Sequence, residues 1–76
     1  MNKSDSMYRL LAFERILTDK PQTAKQIVER LENEYGFTCD RKTVYRYASA
    51  LTRFANVQVS RKGIYIEKWR KENDRI

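Results

Sequence analysis

Lys42, Arg46, Ser49 and Arg53 are spaced four, three and four residues apart, with Arg41 and Tyr45 beside them. At about 100° per residue this spacing puts the four on one side of a helix, opposite a side centred on Val44 and Leu51. An arginine fork can bond two acceptors on a guanine edge, and Lys, Ser and Tyr reach base edges or phosphates. No acidic residue interrupts this face after Asp40. The preceding segment, in contrast, mixes Lys25, Glu29, Arg30 and Glu32, as a helix kept merely soluble does. The chemistry implied is recognition of a polyanion. Arg41, Lys42, Tyr45, Arg46 and Ser49 are the candidates for base edges, because the first turns of a recognition helix approach the bases. Arg53, further along, is the candidate for a phosphate. The competing reading of this face is a solvated basic surface with no partner.

A second basic feature follows. Arg61-Lys62 precedes Gly63 between two short alternating segments, so it marks a hairpin tip. Cations at such a tip suit the sugar-phosphate backbone or a minor groove. Other chemistries lack their parts. Cys39 is the single cysteine and the chain has no histidine, which argues against a zinc site and an internal disulfide. No nucleophile–base pair, glycine-rich phosphate loop or metal-ligand cluster can be read from the chain. The expectation is therefore a protein that is not an enzyme, with no cofactor and no metal.

The elements that must carry these side chains can be read from period and punctuation. A first helix is expected from Ser6 to about Thr18, capped by Ser4 or Asp5, with Tyr8, Leu10, Leu11, Phe13, Ile16 and Leu17 forming a wide apolar face. Pro21 breaks it. Thr23-Ala24-Lys25-Gln26 reads as a capping box opening a second helix, Ala24 to Tyr35, closed by Gly36. Asp40 caps a third, from Arg41 to Ala55, whose inward side carries Val44, Tyr47, Ala48, Leu51, Phe54 and Ala55. After Asn56 the period becomes two, and Val57, Val59, Ile64 and Ile66 are available to one buried face. Tyr35, Phe37 and Phe54 are assigned to the core, and Cys39 packs. The fold class expected is mainly α with a small β-hairpin: a winged helix-turn-helix. Residues 1–5 are read as a flexible start, 6–69 as the domain and 70–76 as a charged tail, with Trp69 closing the core beneath the hairpin.

The string Tyr35-Gly36-Phe37-Thr38-Cys39-Asp40-Arg41-Lys42-Thr43-Val44-Tyr45-Arg46 resembles the recognition-helix segment of WYL-type transcriptional regulators, a winged-helix group shared with DeoR-like repressors. Thr23 to Leu31 resembles the first helix of their motif, and Val57 to Ile66 fits the wing. The resemblance implies that Arg41, Lys42, Thr43, Tyr45 and Arg46 face DNA; Thr43 is taken as a phosphate contact, beside Arg53, Arg61 and Lys62, which their positions give that role. Tyr47 departs from the acidic residue usual there. The ligand-sensing domain of that group has no counterpart, so the likeness implies no small-molecule effector. A free-standing version also resembles small regulators of phages and mobile elements, and short DNA-bending excisionases.

Seventy-six residues suffice for one domain with one small core. The net charge of +6 lies wholly in the second half: residues 1–37 carry six basic and six acidic side chains, residues 38–76 ten and four. This asymmetry points to double-stranded DNA or another polyanion. The deep A-form groove disfavours RNA. No run is long enough to span a membrane and Met1–Ser6 lacks a signal-like apolar stretch, so a cytoplasmic, nucleoid-associated protein is expected. The leading expectation is a sequence-specific DNA-binding regulator, a repressor acting by operator occupancy. The alternatives are an excisionase-like bending protein and a winged-helix module that inhibits a protein partner. A homodimer, in solution or on DNA, is expected through the first helix, the Trp69 tail or both, because one small module reads little sequence.

Overall fold

The computed structural model describes residues 5–67. Ser4 as an alternative cap, Trp69 and the tail 70–76 lie outside these. Three helices precede a two-stranded antiparallel hairpin: α1 (Ser6–Ile16), α2 (Ala24–Arg30) running on into a π-helical turn (Leu31–Tyr35), α3 (Arg41–Ala55), β1 (Val57–Ser60) and β2 (Gly63–Ile66). The arrangement is mainly helical with a small hairpin, a winged-helix-like fold.

Local chemistry accounts for most boundaries. The Asp5 carboxylate accepts the Met7 N–H at 2.8 Å and starts α1. That helix ends at Ile16, two residues short of the expected Thr18. The cause is long-range: the Thr18 carbonyl accepts from the Ile66 N–H at 2.9 Å, so the chain there is drawn into extended pairing beside β2. Four residues on, Gln22 and Ile64 exchange two backbone hydrogen bonds, of 3.1 and 2.8 Å. The segment after α1 thus serves as a third edge for the hairpin.

Thr23 and Gln26 form the capping box in both directions, at 3.1 and 2.9 Å. The α-helical spacing then relaxes after Arg30, where a single α-helix to Tyr35 was expected. Leu31 stays fully buried through the wider turn, and the Tyr35 carbonyl accepts the Tyr8 hydroxyl at 3.1 Å. Arg30 clasps this region: its guanidinium donates to both Glu34 oxygens, to the Ile16 carbonyl and to the Gln22 side chain. Gly36 ends the segment in the left-handed conformation, φ 77°.

Phe13, Ile27, Leu31, Val44, Val57 and Ile64 form the fully buried centre, joined by Ala12, Ile16, Leu17, Ala24, Phe37, Ala48 and Ile66. No polar or charged residue is buried among the described residues. Full burial of each large side chain stabilises by about 1.5–3 kcal/mol before entropy is subtracted. Tyr35, Tyr47, Leu51, Ala55 and Cys39 pack against this centre while partly exposed.

Two expected core residues are not there. Phe54 is 85% exposed. It follows Leu51 by three residues, about 60° round the helix, and Val57, Ile64 and Ile66 close that end of the core without it. Val59 is 54% exposed although it pairs directly with buried Ile64. Ile64 is covered from its other side by the bridge to Gln22, whereas Val59 lies on the outer strand toward the tip.

Candidate nucleic-acid interface

The position of α3 is fixed at both ends by single residues. At its start the Asp40 carboxylate accepts the Thr43 N–H at 2.9 Å. That hydrogen bond holds the carboxyl below its ordinary range, with Lys42 adding a smaller effect of the same sign. At its end Asn56 takes a left-handed φ of 56°, the one non-glycine residue to do so among those described. Asn tolerates this conformation better than most residues. Between these points Val44 and Ala48 are buried, and they set the rotation of the helix.

With that rotation fixed, Lys42, Arg46, Ser49 and Arg53 form one exposed ridge, with Arg41 exposed beside it. Tyr45, at the same end, is 48% exposed. Thr43 is half-buried and lies off this line. Among the described residues, the side chains of Arg41, Lys42, Arg46 and Arg53 take part in no hydrogen bond or salt bridge. The ridge therefore presents donors and positive charge with their hydrogen-bonding capacity unspent. It complements acceptors that are negative or electron-rich, such as phosphate oxygens and the groove edge of guanine.

Arg61 and Lys62 occupy the hairpin tip and are also exposed and unpaired. Register pairs Ser60 with Gly63, leaving these two as the loop. The Ser60 hydroxyl accepts the Lys62 N–H at 3.2 Å and donates to the Gly63 carbonyl at 3.1 Å, which tightens the loop. Gly63 has the positive φ expected of it, 143°, but the unbroken register makes the connection a two-residue loop and not the expected bulged turn. The wing cations thus sit on a separate element, one that follows α3 after Asn56 alone.

One contributor escaped the sequence reading. Lys25 and Thr23, at the start of α2, meet Arg41 and Tyr45 around a shallow hollow of about 340 Å³. Lys25 had served only as an example of mixed charge on its helix. The signal available was its position directly after the capping box, where the start of one motif helix approaches the start of the next. Cys39, just before α3, is partly buried, and burial, followed by the nearby Asp40 charge, pushes its thiol up. It remains protonated near neutral pH and supplies no thiolate nucleophile.

Among the described residues no helix is long and apolar enough to cross a membrane. Comparison with family models, curated proteins and solved structures returned no match for this chain.

Proposed function

We propose that this protein binds double-stranded DNA in a sequence-specific manner, with α3 in the major groove and the hairpin tip against the backbone, and that it regulates transcription by occupying an operator. The observation that carries the reading is the exposed ridge of Lys42, Arg46, Ser49 and Arg53, with Arg41 and Tyr45 alongside, free of acids and of intramolecular partners. Folding gains nothing from clustering like charges on one helix face. A polyanion gives them a role, and the A-form geometry of RNA would exclude the helix from its deep groove.

Roles divide by position. Arg41, Lys42, Tyr45, Arg46 and Ser49 read base edges. Thr43, Arg53, Arg61 and Lys62 hold phosphates, and Lys25 joins them from the start of α2. The test is selection of bound sequences from a random duplex pool with the full chain. Enrichment of a defined motif, with affinity that falls steeply as salt rises, supports the proposal. Recovery of unenriched sequence at every round overturns sequence-specific binding, and salt-independent affinity overturns the role of the ridge.

A further inference from the structure

Among the described residues, nothing packs over the outer side of α1 at Met7 and Leu11. Met7 is 60% exposed and Leu11 46% exposed, one turn apart on an 11-residue helix. Beside Leu11 lies a hollow of about 240 Å³ between α1 and the π-helical turn, lined by Tyr8, Leu11, Ala12, Glu14, Arg15 and Tyr35. Its walls are held in place. The Tyr8 hydroxyl is spent on the Tyr35 carbonyl, and the Tyr8 ring meets Tyr35 and Phe37 edge-on, with centroids 6.4 and 6.1 Å apart. The floor is therefore apolar and preformed, a shape that accepts a side chain from outside.

Charge selects the occupant. The helix and its cap carry two acids, Asp5 and Glu14, and two bases, Arg9 and Arg15. This balance gives neither a polyanion nor a strongly basic partner a reason to choose α1, whereas the α3 ridge is wholly cationic. A second copy of the chain brings the same balance and the same exposed methionine. Methionine is unbranched and fills irregular apolar gaps, and its sulfur packs well at aromatic edges. The exposed charges at the two ends of α1 also set direction. Asp5 stands at the start of α1 and Arg15 at its end, both exposed. Antiparallel helices bring each Asp5 toward the other copy's Arg15 and oppose their dipoles. Parallel helices would set like charges together.

We propose that two copies associate through α1, antiparallel about Leu11, with Met7 of each seated in the other's hollow. This goes beyond the DNA-binding reading and does not depend on it. A short helix pair covers less than the roughly 800 Å² per partner of a standard interface. The free dimer is accordingly weak, and it tightens when both copies are held on one scaffold.

Sedimentation of the full chain without DNA, from micromolar to millimolar concentration, should show a monomer–dimer equilibrium. Leu11→Glu should stay monomeric throughout while keeping the wild-type thermal melt, since Leu11 is outside the core. In a Cys39→Ala background, Leu11→Cys should form an intermolecular disulfide at least about tenfold faster than Glu29→Cys on the exposed side of α2, because pairing raises the local thiol concentration. Mixed Met7→Cys and Arg15→Cys chains should link to each other in preference to Met7→Cys with itself. A wild-type monomer at every concentration, or equal linking at positions 11 and 29, overturns the interface. A dimer that survives Leu11→Glu overturns its location, and preferred self-linking at position 7 overturns its direction. None of these readouts involves DNA, so failure here and failure of the DNA-binding reading are told apart.

Discussion

Gly63→Ala tests how the wing is anchored. A Cβ at position 63 would lie 2.3 Å from the Gln22 carbonyl oxygen, 2.5 Å from its carbon and 2.8 Å from its nitrogen. These are backbone atoms, so no rotamer change relieves the overlap. The strand has to lift away from Gln22, and lifting breaks both Gln22–Ile64 hydrogen bonds. Each such bond contributes about 0.5–1.5 kcal/mol net. A positive φ adds about 1–2 kcal/mol for an alanine. The expected loss is ~2–5 kcal/mol, against a total stability of roughly 4–11 kcal/mol for a domain of this length. Urea unfolding followed by far-ultraviolet circular dichroism, at one fixed protein concentration, measures it. Gly36→Ala is the reference: it faces the left-handed penalty at φ 77° without engaging the hairpin. The thermal midpoint of Gly63→Ala should fall by ~10 °C or more. A Gly63→Ala protein no less stable than Gly36→Ala would refute the view that Gln22 anchors the wing.

Three further outcomes are expected. Arg46→Ala should weaken DNA binding by about 1–3 kcal/mol and relax preference at one base pair, read by repeating the pool selection with the variant; unaltered affinity and preference count against the assignment. Arg61→Ala with Lys62→Ala should weaken binding to all sequences alike and make the salt dependence shallower by about one unit per lost phosphate contact; a loss confined to the selected site would mean the wing reads bases. The Asp40 and Glu34 carboxyls are held low by the Thr43 N–H and the Arg30 guanidinium respectively, so their stabilisation is complete above the unfolded value near 4 and is lost as pH falls through the lower folded values. The urea midpoint should therefore be flat from neutral pH to about 5 and drop below about 4, with Asp40→Asn showing a shallower drop because Asn caps without titrating; an unchanged acid slope in that variant would remove Asp40 from the account.

The features that were legible in the sequence are those set by neighbours in the chain. Thr23 with Gln26, Gly36, and Asp40 with Thr43 act within four residues, and each marks its boundary where the structure has it. The end of α1 was misread because its determinant, the Ile66 N–H on the Thr18 carbonyl, comes from the far end of the fold. The π-helical turn was invisible for a different reason. Over the five residues Leu31–Tyr35, a period slightly longer than the α-helical one leaves Leu31 and Tyr35 on the same stripe. Phe54 and Val59 have the right residue types for burial, but burial depends on what reaches them, and no described residue covers either fully. The ridge of α3 was readable because two buried residues, Val44 and Ala48, fix the rotation of the whole helix. Lys25 was not, since its nearness to Arg41 and Tyr45 arises only when α2 and α3 pack.

The charges of this chain separate into those that hold the fold and those that do not. Arg30 spends its guanidinium on Glu34, Gln22 and the Ile16 carbonyl, tying α2 to the end of α1. Asp5 and Asp40 spend their carboxylates on helix starts. The α3 cations make no such bonds; Arg53, in the last turn, suits the helix dipole, whereas Lys42 and Arg46 oppose folding. Lys42 and Arg46 stand four residues apart, a spacing at which like charges destabilise a helix by about 0.2–0.5 kcal/mol. No carboxylate is placed within the helix to offset them, although α2 shows that this sequence mixes signs elsewhere. A local arrangement that works against stability, offset only by Asp40 at the helix cap, is the pattern expected where a surface serves a partner. The partner must supply negative charge along a line matching the ridge. On the DNA-binding proposal, the phosphates flanking a groove supply that charge.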